Sequence, residues 1–116
     1  MSGLNPSQIE LLLKKATDLK VNSGQTIVLF AEPVLGIYIV KSGRVGVYPG
    51  NGTQAINYLH PHDCFGEMSF LENLPGSATV TAEQDLTELL LITRRKFDEF
   101  LRDQPFEAAQ IFKQLA

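Results

Sequence analysis

His60, His62 and Cys64 stand at alternate positions, and Glu67 follows three residues later. An extended segment would set the first three side chains on one face, and imidazole, thiolate and carboxylate are all metal-ligand types. They are the chain's only histidines and only cysteine, so a metal site competes with a solvated loop beside a buried thiol. A second group starts at the glutamate. Gly66 and Glu67 can open a short helix, where an acid complements the positive end of the helix dipole, and Met68, Ser69, Phe70 and Leu71 extend it. Met68, Phe70, Leu71 and Leu74 read as core or cavity wall. Pro75 and Gly76 suit the centre of a type II turn, because proline presets φ and glycine accepts the positive φ that follows. Ser77 and Ala78 then open a strand. No Ser/His/Asp or Cys/His arrangement is placed by spacing, so an enzyme is not expected.

These groups need a scaffold, and the chain's periodicity describes one. Asn5, Pro6 and Gln8 read as an N-cap, a first-turn proline and a capping-box partner, with Leu4 and Ile9 placed as a hydrophobic staple. They predict a helix over about 6–18. Short apolar runs follow at 26–31, 35–41, 44–48, 53–59, 77–82 and 85–92. They are separated by turn residues at Asn22-Ser23-Gly24, Ser42-Gly43 and Pro49-Gly50-Asn51-Gly52. Many short strands at close spacing predict a barrel or sandwich. After Thr93 the period turns helical again, with Phe97, Phe100 and Leu101 on one face. Pro105 and Glu107 restart a second helix, whose stripe is Ala108, Ile111, Phe112 and Leu115.

Composition narrows the function classes. The 116 residues suit one domain, 1–116, and 44% hydrophobic content can fill an ordinary core. A formal net charge of −3 carries no broad basic footprint, which argues against nucleic-acid binding by this chain. One cysteine excludes an internal disulfide and suits a reducing compartment. Neither a membrane-length apolar run nor a charged leader is seen, so the expected location is cytoplasmic.

The run from Phe65 to Leu71, followed by Pro75 to Ala82, resembles the phosphate-binding cassette of cyclic-nucleotide-binding domains of catabolite-activator type. The blocks Ser23-Gly24-Gln25-Thr26-Ile27 and Ile37 to Val45 resemble other family blocks, in the expected order, so the resemblance covers about 4–115. It implies a mainly β fold with flanking α: an eight-stranded jelly-roll barrel (double-stranded β-helix) over about 20–92. An N-terminal helix, a cassette helix and C-terminal helices at about 94–115 complete it. It also implies ligand contacts at Gly66, Glu67, Met68, Ser69, Gly76, Ser77 and Ala78. In the family the Gly-Glu pair starts the cassette helix and the glutamate accepts a ribose hydroxyl. An arginine just before Ser-Ala grips the cyclic phosphate.

Here Gly76 stands where that arginine belongs. Arg44 lies on another strand, and Arg94 and Arg95 precede a late helix, where solvated side chains are expected. The reading is therefore a non-catalytic regulatory domain whose binding of cyclic AMP or cyclic GMP is weak or lost. An alternative is a ligand-independent interaction domain that dimerises, or docks on an output domain, through the C-terminal helix and its Ile111, Phe112 and Leu115 stripe. A further alternative follows from His60, His62 and Glu67, whose spacing resembles the first metal motif of cupins, although the second motif's histidine is missing. The chain's edges suggest an excised domain or a reduced protein with its output module elsewhere.

Overall fold

The computed structural model describes residues 6–50, 52–66, 69, 70 and 72–115, with side chains at all of these except 8, 9, 12 and 111–115. The expected cap at Asn5 and staple residue Leu4 lie outside the described residues, as do Glu67, Met68 and Leu71. The order is α1 (Pro6–Leu13), β1 (Thr17–Val21), β2 (Thr26–Val28), β3 (Gly36–Ser42), β4 (Val45–Tyr48), β5 (Asn57–Leu59), β6 (Cys64–Phe65), β7 (Thr79–Ala82), β8 (Thr87–Thr93), α2 (Arg94–Asp103) and α3 (Pro105–Leu115).

The strands pair antiparallel into two four-stranded sheets, β1-β8-β3-β6 and β2-β7-β4-β5. Among the described residues no ladder joins the two sheets, so the expected eight-stranded jelly-roll barrel stands as two facing antiparallel sheets that do not close on one another. The long central strands explain their own sequences. Tyr38, Val40, Leu89 and Leu91 point between the sheets, where they meet Val28, Val45, Leu59, Phe65 and Val80. Ile37, Ile39, Leu90 and Ile92 point the other way, against Phe70, Phe97, Phe100 and Ala108. A strand buried on both faces reads as a continuous apolar run rather than an alternating one, which is what Ile37–Val40 and Leu89–Ile92 are.

The helices after β8 cover the outer face of one sheet. Thr93 caps α2, its Oγ1 accepting from the Lys96 amide, and Phe97 and Phe100 are buried from one side of that helix. Pro105 then starts α3, which buries Ala108 and leaves Phe106 exposed. The backbone at Ile111, Phe112 and Leu115 is helical, but their side chains lie outside the described residues.

Three expectations change. The first helix stops at Leu13, and Thr17 and Asp18, expected to end it, instead open edge strand β1 on β8, with Thr17 opposite Leu91 and Val21 opposite Thr87. Ladder bonds along five residues outweigh the low helical propensity of Thr17, Asp18 and Val21. The expected strands over 26–31 and 53–59 are cut to three residues each: Ala31 takes φ +68, and only Asn57–Leu59 pairs with β4. The two-residue strand β6, missed in the sequence, pairs Phe65 with Tyr38 and Cys64 with Ile39.

Candidate functional site

Gly66 follows β6 and ends the extended run. Its φ of +80 favours glycine, and a Cβ there would sit 3.1 Å from Val34 Cγ1 and 3.2 Å from the Gly36 carbonyl, so both neighbours would have to give as well. The Gly66 carbonyl then accepts from the Phe70 amide at 2.9 Å, closing a helical turn at Ser69 and Phe70. Leu74 N–H donates to the Ser69 carbonyl at 2.8 Å, and Asn73, at φ +58, turns the chain back toward the sheet.

Gly76 does not hold the expected left-handed turn. Its φ lies outside the positive region that Gly24, Gly43 and Gly66 adopt. Instead its backbone pairs with the segment after β2: Gly76 N–H donates to the Glu32 carbonyl at 2.8 Å, and the Gly76 carbonyl accepts from Ala31 N–H at 2.9 Å. It is the sequence after β2, with Ala31 left-handed, that bends to meet residue 76. A Cβ at 76 would come 3.0 Å from the Leu29 carbonyl and 3.1 Å from Val28 Cγ1.

Gly66, Ser69, Gly76, Ser77 and Ala78 line a cavity of about 90 Å³, and Val28, Val34, Val47, Phe65 and Val80 complete its lining. The fold thus brings together five of the seven residues expected to form a site; Glu67 and Met68 lie outside the described residues. Ser69 and Gly76 are buried, whereas Ser77 is exposed. Phe65 stacks on Tyr38, ring centroids 5.0 Å apart and planes 4° from parallel, and burial raises the Tyr38 phenol. Among the described residues the lining carries no cation.

The arginines lie elsewhere. Arg44 sits over the Tyr58 ring at 4.9 Å, and the Tyr48 hydroxyl donates to Glu83 Oε1 at 2.6 Å. That bond holds the Tyr48 phenol above its ordinary range. Arg95 is solvated as expected, its side chain 88% exposed. Arg94 is not simply solvated: its guanidinium lies 4.1 Å over the Phe70 ring and Nη2 donates to the Phe70 carbonyl at 2.7 Å. Contact with the cassette was not visible in a sequence where residues 70 and 94 are far apart.

The alternating trio does not share a face. The chain turns at Pro61 and His62, with His62 at φ +79, and Asp63 ties the turn by accepting from His60 N–H at 2.9 Å. Both imidazoles are exposed while Cys64 is buried in the core. Among the described residues no group of three His, Cys, Asp or Glu side chains is placed to hold a metal.

Residues 18–104 match the family model described as cyclic nucleotide-binding domain. The chain is 30% identical to the cyclic AMP receptor protein of Thermus thermophilus, over 98% of this chain and 54% of that one. It is also 30% identical to a cAMP-dependent protein kinase regulatory subunit of Colletotrichum orbiculare, over 74% of this chain and 22% of the relative. The crystal structure of Thermus thermophilus catabolite activator protein superposes with a TM-score of 0.81 at 29% identity, covering 97% of this chain and 54% of that one. The chain therefore spans about half the length of its receptor-type relative. Among the described residues no helix is long and apolar enough to cross a membrane.

Proposed function

This chain belongs to the cyclic nucleotide-binding domain family, and from that premise we propose that it is a regulatory domain whose cassette binds cyclic AMP or cyclic GMP weakly or not at all. Gly76 carries the reading. A guanidinium offers a planar fork of donors to phosphate oxygens, and the position where the family resemblance expects it holds a glycine whose backbone is already committed to Ala31 and Glu32. Truncating one side of a buried charged pair costs roughly 2–5 kcal/mol. At about 1.4 kcal/mol per tenfold, that is roughly thirty-fold to several thousand-fold in affinity.

The cavity supports the same reading. At about 90 Å³ it falls short of the roughly 300–1,000 Å³ of small-molecule sites, so a nucleotide enters only if the segments that line it move apart. Such movement must be driven by ligand contacts. Without the cation the largest of those contacts is missing.

Isothermal titration of the unaltered chain with each cyclic nucleotide tests this. The expected result is no saturation below about 1 mM. Binding at micromolar concentration or tighter by either nucleotide would overturn the reading and make the cassette functional despite Gly76.

A further inference from the structure

Outside the cassette cavity, between the 33–35 segment and the cassette turn, lies a groove of about 480 Å³. Its size falls in the range of small-molecule sites. Pro33, Leu35, Phe70, Leu74 and Pro75 make it apolar, and Arg94 stands on its wall. Leu35 and Leu74 are 67% and 53% exposed, so two adjacent leucines face solvent. Among the described residues no acidic one lines the groove.

Arg94 is held in place without being neutralised. Stacking on Phe70 and the Nη2 bonds to the Phe70 carbonyl, at 2.7 Å, and Asn73 Oδ1, at 3.5 Å, fix the guanidinium plane. These bonds use one of its three nitrogens, and a guanidinium has five N–H donors. Farther along the same helix, Arg95 pairs with Glu99 at 3.6 Å and Arg102 with Asp103 at 3.0 Å. Among the described residues Arg94 has no carboxylate partner. A pre-oriented fork with no ion-pair partner among the described residues, although Asp98 and Glu99 share a depression with it on the helix side, matches a carboxylate bidentately where it meets the apolar groove.

We propose that this groove is a small-molecule site for an amphipathic carboxylate, its apolar body against Leu35, Phe70 and Leu74 and its carboxylate on Arg94. The site is distinct from the cassette cavity and does not depend on whether a cyclic nucleotide binds there. The two are nonetheless neighbours, because Val34 and Ser69 line both. An occupant of the groove presses on the wall of the cassette pocket.

Decanoate, below its micelle concentration, is the probe, followed by calorimetry and by amide chemical shifts of the full chain. Saturable binding is expected, with shifts at Leu35, Leu74 and Arg94 and at the shared wall, Val34 and Ser69. Decanamide, of similar shape without charge, should bind at least about tenfold more weakly, as should decanoate to Arg94→Gln. Arg95→Gln should leave the affinity unchanged. Leu74→Glu, at an exposed position, should abolish binding by occupying the groove with a like charge, and it decides the matter if Arg94→Gln fails to fold. The proposal is overturned by no saturation at about 1 mM decanoate. Equal binding by decanamide, equal binding by Leu74→Glu, or a loss in Arg95→Gln as large as in Arg94→Gln would overturn it too.

Discussion

Replacing Gly76 by arginine returns a cation to the cassette wall, and the structure separates what that change does to affinity from what it does to stability. The backbone at 76 is outside the left-handed region, so an arginine there carries no positive-φ strain. Its Cβ would instead sit 3.0 Å from the Leu29 carbonyl and 3.1 Å from Val28 Cγ1, and both neighbours must yield a few tenths of an ångström. Overpacking of this kind costs about 1–3 kcal/mol, partly offset by about 0.4–1 kcal/mol from the reduced freedom of the unfolded chain. Gly76→Ala carries the same Cβ crowding, so comparing the two variants removes that cost from the dissociation constant. It appears in the melting temperature, at roughly 4 °C per kcal/mol for 116 residues. The affinity gain is the charged contact alone, roughly thirty-fold or more. Gly76→Ala is the control: it should melt lower, as the arginine variant does, without gaining affinity. Calorimetric titration with cyclic AMP and cyclic GMP, beside thermal melts of all three proteins, reads both quantities. If Gly76→Arg is folded and still fails to bind either nucleotide, the missing guanidinium is not what silences the pocket.

Gly36→Ala should destabilise severely, by about 3 kcal/mol or more, because its Cβ would fall on the Ile92 carbonyl, 2.1 Å away in the central β3-β8 ladder; urea denaturation measures this, and an unchanged midpoint would refute the pairing. Phe100→Ala should cost about 3–5 kcal/mol, since that ring is 1% exposed beneath α2, and a loss below about 1 kcal/mol would mean α2 is not packed on the sheet. Asp103 is held below its ordinary pKa by Arg102 and then Lys15. Its contribution is present above the unfolded carboxylate pKa, about 3.9, and is lost as pH falls through the lower folded value. Asp103→Asn should therefore melt slightly below the parent at pH 7 and converge with it at about pH 2, and a gap that widened in acid would reverse the sign.

Some of this was legible locally. Gly24 and Gly43 are left-handed at the turns their neighbours announce, with φ of +91 and +88. Pro49 to Gly52 closes a turn through the Gly52 amide and Pro49 carbonyl at 2.9 Å. The break at Gln104 between two late helices follows from Pro105, which cannot donate to the preceding turn. Strand ends were less legible, because pairing partners rather than residue types set them: β7 begins at Thr79 opposite Tyr48, two residues after the apolar run starts. The helix expected through Asp18 failed for the same reason, since its last residues had an edge of β8 to pair with.

The cassette shows the division most clearly. Gly66 was readable, with Glu67, as the start of a short helix, and the absence of an arginine at 76 was readable as a missing cation, because both depend on the identity of one or two residues. The conformation of Gly76 was not. A Pro-Gly pair has a strong local preference for a type II turn, but two backbone bonds to Ala31 and Glu32, 44 and more positions away, outweigh it. His60, His62 and Cys64 likewise alternate in the sequence, yet the turn at His62 leaves only the thiol inside. Arg94 was placed by its sequence at the start of a helix; that it lies over Phe70, with its charge unpaired among the described residues beside two exposed leucines, is a matter of which segments pack together. Residue types determined what chemistry this chain could bring to a site. The long-range backbone pairing of the two sheets decided where each group faces, because those bonds join positions that no local preference connects.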